Sequence, residues 1–365
     1  MLGNPPTKTL AYDWQSLAKA SERSFAEGEL SKAEDLAWES LSLAKQMGEF
    51  EPRLAISLSN LAVIQRTRGQ FDRAEDLSNI ALRILKAVDG TGELMAKALL
   101  NSACYFHDMG RWGEARRLYS KAVGLLETAY HDPMLCRALC LYARLCGDQG
   151  KYSQAETLLK RVASLKPNEN SGLILFYLTS AQNSIQRRRL ARAETALAEA
   201  QAILMEGTEN QLLWKSSLLA LKGDLLFQQF LASSQVSGSL ERDVAPRRRA
   251  TVEAYEHALD IREQCLGPFH PSCGELLRKL ATLFFEVCDY EESEGHLRRS
   301  LSIALSSRGA YHFDTLRCLE LSNLLLRATG RYQEADVMED RIRQVEKEVR
   351  EAARETYVVW GEPDM

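Results

Sequence analysis

One short segment recurs along this chain at a nearly constant interval, and that repetition limits the available folds more than any other feature. A glycine is followed two residues on by a large apolar side chain, and three further by Ala, then Glu or Arg. This pattern starts at Gly28, Gly69, Gly110 and Gly150, a step of roughly 40 residues each time. Arg188 leads a fifth copy at nearly the same distance, and Cys288 leads a degenerate one a full period before the last, at Gly330. Seven residues before each turn stands a small residue: Ser21, Ala62, Ala103, Ala143, Ala181 and Ala281, with the larger Asn323 in the final copy. Gly223 fills the remaining slot, one period after Ala181. From Gly223 to Ala281 the interval is well over one period, and the excess coincides with a polar stretch from Ser233 to Pro246. An inserted loop at about 232–247, within the sixth of eight units, is expected there.

Each unit contains two amphipathic stretches of helix length on either side of the turn, and neither can bury its apolar stripe alone. Stacking of neighbours supplies the missing core. The small residue on the first helix lets the second approach, and the aromatic or Leu after the turn packs across the pair. A glycine at the turn permits the left-handed backbone that ends a helix. The 365 residues exceed what one ordinary core serves, which fits an array of units rather than a single globule.

These spacings resemble the tetratricopeptide repeat (TPR) family, most closely its longer, kinesin-light-chain-like variety. Gly267, Pro268, His270 and Pro271 are similar to that variety's inter-repeat turn, with weaker versions at Tyr311-His312 and Tyr130-His131. The resemblance implies an all-α fold, a right-handed α-solenoid of about eight TPR-like helical hairpins over residues 10–345. Residues 1–9 are then a flexible N-terminus and 346–365 a C-terminal helix extension and tail. It further implies that the first helix of every hairpin lines a concave groove, where an Asn near the helix middle bonds a ligand's backbone. Asn60 and Asn101 occupy that place in units two and three.

The remaining residues projected onto the groove face include Val63, Arg66, Lys97, His107, Arg137 and Arg144, with Arg278, Lys279, Arg317 and Arg327 further along. Only Glu22, Asp224, Glu275 and Glu320 oppose them, although the whole chain carries a formal charge of −4. A partner-binding site centred on units two to four, suited to a protein or peptide with an acidic segment, is therefore expected. The acidic balance disfavours nucleic acid. Arg187–Arg189 and Arg247–Arg249 lack interleaved stacking aromatics and read as solvated turn charges.

No stretch approaches the about 18 apolar residues of a membrane span, so a cytoplasmic location is expected. Eight cysteines form no CxxC pair and read as buried thiols, and no metal or cofactor is expected. Phosphate-loop, HExxH and GxSxG patterns are missing, leaving no evident residues for catalysis. The sequence thus reads as a non-enzymatic interaction scaffold, with a peptide-sensing regulator that changes superhelix conformation as the alternative.

Overall fold

The computed structural model describes residues 7–88, 92–129, 132–206, 211–234 and 241–355. Among these it forms sixteen helices and no strand, paired as eight antiparallel hairpins in one stack. The first four hairpins are α1 (Thr7–Ala26) with α2 (Leu30–Met47), α3 (Pro52–Thr67) with α4 (Phe71–Ala87), α5 (Gly92–Asp108) with α6 (Trp112–Ala129), and α7 (Asp132–Asp148) with α8 (Tyr152–Leu165). The last four are α9 (Asn170–Gln186) with α10 (Leu190–Glu206), α11 (Leu212–Ser234) with α12 (Glu241–Leu266), α13 (Pro271–Glu286) with α14 (Tyr290–Arg308), and α15 (Phe313–Ala328) with α16 (Tyr332–Glu355). No described helix is long and apolar enough to cross a membrane.

The turns explain the repeat. Gly28, Gly69, Gly110, Gly150 and Gly330 sit at φ between 71° and 83°, where a side chain is strained. At each, two backbone bonds close the helix end, as in Gly69 N–H to Arg66 O at 3.0 Å and Gln70 N–H to Gln65 O at 2.9 Å. Arg188 and Cys288, which replace glycine, adopt the same backbone at φ 55° and 60°. Substituting either by Gly should therefore raise stability by roughly 0.5–1 kcal/mol, since the relieved left-handed strain outweighs the added chain entropy. An unchanged urea midpoint for both variants would contradict this.

Within hairpins the small residue and the motif Ala meet face to face. Ser21 Oγ donates to Ala33 O at 2.7 Å, and Ser293 Oγ to Ala281 O at 2.8 Å, so a serine serves on either side of the same close contact. Between hairpins the motif Glu ties each turn to the next. Glu75 receives Arg111 at 3.1 Å and the Tyr105 hydroxyl, Glu34 pairs with Arg68 at 3.1 Å, and Glu156 pairs with Arg189 at 3.1 Å. The apolar core follows the stack: one continuous cluster runs from Trp14 to Val162 and four smaller ones follow it.

Three sequence expectations change. The inserted residues are largely helical: α11 and α12 have 23 and 26 residues, and α12 already starts at Glu241, so 241–247 is not loop. Pro246 is tolerated because, at the sixth position of α12, it removes one backbone bond near the helix start. At the N-terminus Thr7–Thr9 belong to α1, while α16 carries the extension to Glu355. The cysteines are not uniformly buried, since Cys288 is exposed at its turn and Cys265 half-buried. The Tyr130-His131 turn and the apolar tail at 357–360 lie outside the described residues.

Candidate functional site

The stack winds until its two arms touch. Residues separated by about two hundred positions meet, because inter-repeat turns of the late units dock on the within-hairpin turns of units two and three. His270 Nε2 lies 2.6 Å from Thr67 O, and His312 Nε2 lies 3.1 Å from Asp108 O. Each imidazole also caps the helix it precedes, with Nδ1 accepting from Ser272 N–H at 3.1 Å or from Asp314 N–H at 3.0 Å. An acceptor at Nδ1 leaves Nε2 as the donor, so both rings are held neutral in one tautomer. Apolar contacts flank the pair. Trp112 meets Phe313 edge to face at 5.1 Å, Arg308 lies over the Phe71 ring at 5.3 Å, and Arg308 donates to Asp108 O. Gly69 and Gly110 face Pro271 and His312, so closure also relies on the absent side chains at those turns.

Closure turns the expected open groove into a pit of about 500 Å³, lined mainly by the first helices of units two to eight. Three of the anticipated residues, Arg66, His107 and Arg144, line it. The other five do not. Asn60 and Lys97 converge instead on Glu22 of α1, at 3.3 Å and 3.2 Å. Val63 is half-buried, Asn101 keeps a buried amide nitrogen without a hydrogen-bond partner, and Arg137 is exposed.

The expected surplus of positive charge is mostly neutralised. Arg66 pairs with Asp108 at 2.5 Å and His107 with Asp148 at 2.9 Å, each bond bridging consecutive first helices. Lys279 is held by Asp224 at 2.9 Å and Glu275 at 3.2 Å, and Arg308 by Asp314 at 3.2 Å. Burial alone would raise the Asp108 carboxyl, but Arg66, Arg308 and Arg144 outweigh it and hold the group down at about 2. Glu275 is likewise held well below the usual carboxylate range by Lys279 and Arg262 against its burial. Sequence projection overlooked Asp108 and Asp148 because they end their helices rather than occupy the middle positions. Their recurrence one residue after the groove position of His107, and four after Arg144, was the available signal.

Among the described residues no group of His, Cys, Asp and Glu could hold a metal ion. Burial raises the Cys140 and Cys273 thiols above their ordinary value, which opposes thiolate chemistry at both.

Residues 94–168 and 250–306 match the tetratricopeptide repeat family. No curated protein matches the chain. Among solved structures, a Rap protein complexed with Competence and Sporulation Factor aligns over 95% of this chain and 100% of its own, at 13% identity and a TM-score of 0.57. The apo form of RapI aligns over 80% and 97%, at 14% identity and a TM-score of 0.54. At such identities the likeness establishes a shared solenoid fold.

Proposed function

Because the chain is a tetratricopeptide-repeat protein, we propose that it is a non-catalytic interaction scaffold whose pit receives a short peptide or a projecting loop of a partner protein. The observation carrying this reading is the ring-closed cavity of about 500 Å³, walled by first helices that present charged side chains and Gln182 beside apolar ones such as Leu178 and Trp214. Outside the pit, on the first helices of units two and three, Asn101 with its unused amide donor supplies a backbone-binding group, and Asn60 supplies a second once it leaves Glu22. Acidic segments are favoured partners, since Arg144 lines the pit without an ion pair while the carboxylates that line it are engaged. A reducing, cytoplasmic setting suits the buried free thiols.

The contact between arms supports a second reading, that of a sensor. Three hydrogen bonds and a few ring contacts join the arms, so a ligand with unequal affinity for open and closed rings shifts their populations. The solved Rap protein in complex with Competence and Sporulation Factor provides a precedent for a ligand on a stack of this kind.

Affinity purification with mass spectrometry tests the scaffold. Partners retained by the wild type should be depleted at least tenfold by Asn60→Ala/Asn101→Ala and about tenfold by Arg144→Ala, since each lost bond is worth about 1.5 kcal/mol. Equal recovery on the wild type and Arg144→Ala would reject the pit as the binding surface, and equal recovery on the wild type and Asn60→Ala/Asn101→Ala would reject the amide face of units two and three.

A further inference from the structure

Six cationic side chains line the pit, and four of them have carboxylate partners: Arg66, Arg262, Lys279 and Arg308. Every acidic side chain lining it is already engaged, Asp148 by His107 and by Gln182 at 3.2 Å. Arg144 on α7 and Arg317 on α15 are the two described lining cations that make no ion pair. They come from opposite arms of the ring, far apart in sequence, and share the pit only because the ring is closed. Arg317 is held in place without an anion, its guanidinium stacked 3.9 Å from the centre of the Phe313 ring. Stacking on the face leaves the donors at the edge of the guanidinium uncommitted. Asp148, one turn beyond Arg144, lines the same pit as both arginines. Arg278 on α13 adds a like charge beside Arg317, so an arriving anion relieves a repulsion as well as forming a bond.

We propose that Arg144 and Arg317 form a cross-ring anion site, which takes a compact ligand bearing two anionic groups and ties the two arms together. This rests on the reading of the pit as a binding site and specifies the chemistry of what enters it. Two carboxylates of a short acidic peptide, or a small free dianion, present the same chemistry. Either is gripped by charge-assisted hydrogen bonds, one to each arm, and neither can bridge the arginines once the ring opens. The ligand consequently binds the closed state alone and stabilises it.

The test is titration calorimetry on the full chain with three probes: acetyl-Glu-Gly-Glu-amide, its Gln-Gly-Gln counterpart, and inorganic pyrophosphate. The wild type should bind at least one dianion with a Kd no weaker than about 1 mM. Arg317→Ala and Arg144→Ala should each weaken it by about 10- to 100-fold, while Arg83→Ala, at an exposed position of α4, leaves it unchanged. Arg317→Lys should recover part of the loss, and His270→Ala/His312→Ala should weaken binding with both arginines intact. Circular dichroism melts confirm that each variant is folded.

Binding of the Glu peptide points to a peptide source and binding of pyrophosphate alone to a small dianion, and both support the site if the arginine variants lose it. Equal binding of the Gln and Glu peptides overturns the anion site, as does binding indifferent to both arginines or no dianion binding at all. Partner capture by the Asn60 and Asn101 face is measured separately, and its result stands whichever way the titration falls.

Discussion

Acidification from pH 7 to pH 4.5 opens the ring, visible as an increase in radius of gyration by small-angle scattering while helical circular dichroism is retained. Burial pushes His270 and His312 from 6.5 to about 4, and Arg308 reinforces this at both, outweighing the opposing pull of Asp314 on His312 and of Asp108 on each. The sign follows from which state holds the proton. Above pH 6.5 the imidazoles are neutral whether the ring is open or closed, and the clasp contributes fully. Between pH 6.5 and about 4 the opened chain takes up protons that the closed ring excludes, so closure weakens as pH falls. The limit is roughly 3 kcal/mol per histidine.

Protonation also removes the Nδ1 acceptor from the caps of α13 and α15, so the two rings fail together with the turns they brace. His270→Ala/His312→Ala should be expanded already at pH 7 and show little further change on acidification. A double variant as compact as the wild type at pH 7, or a wild type unaltered down to pH 4.5, would show that the arms are held by something else.

Gly223→Ala should be the most disruptive single methyl in the stack. A Cβ there would lie 2.5 and 2.6 Å from two ring carbons of Tyr255, which is among the largest fully buried side chains. To make room, Tyr255 must leave the bond of 2.8 Å from its hydroxyl to Asp224, which in turn holds Lys279 in the pit wall. Overpacking of this kind costs about 1–3 kcal/mol, with the lost buried hydrogen bond added to it.

Gly124→Ala is the matched control. It lies in the interior of α6 with nothing within 4 Å of the added carbon. It should stabilise by about 0.5–1 kcal/mol, as expected where a helix glycine has no packing role. Urea unfolding of both variants checks the pair, and a Gly223→Ala midpoint at or above that of the wild type would defeat the argument. In unit three, where Ala103 stands in the small-residue slot, the Tyr119 hydroxyl reaches the neighbouring Cys104 at 3.4 Å.

Most of the fold was legible because its determinants are local and repeat. The Gly or its substitute at each turn, the small residue seven positions earlier and the Ala after it each report a contact inside one hairpin, and Arg188 and Cys288 keep the turn backbone although they are not glycine. The extra residues of unit six were visible as an excess of length, but their helical state was not. Polar composition and Pro246 suggest a loop, whereas lengthening α11 and α12 keeps backbone groups bonded.

The candidate site was legible only in part. A helix projection identifies Arg66, His107 and Arg144 as facing inward, but it cannot see that Asp108 and Asp148 from the next unit answer two of them. It also cannot see that Asn60 and Lys97 are drawn to Glu22.

The repeating unit is therefore written in the residues themselves: two helices that shield one another, their turn chemistry, and the number of copies, since each depends on residues a few tens of positions apart. The closure of the ring is not. That the stack curls far enough for Thr67 to meet His270 and Asp108 to meet His312 emerges only in three dimensions. Curvature accumulates from small rotations at every interface, so no single residue encodes it. Whether Arg144 and Arg317 share a pit or stand on separate walls is settled only by that sum.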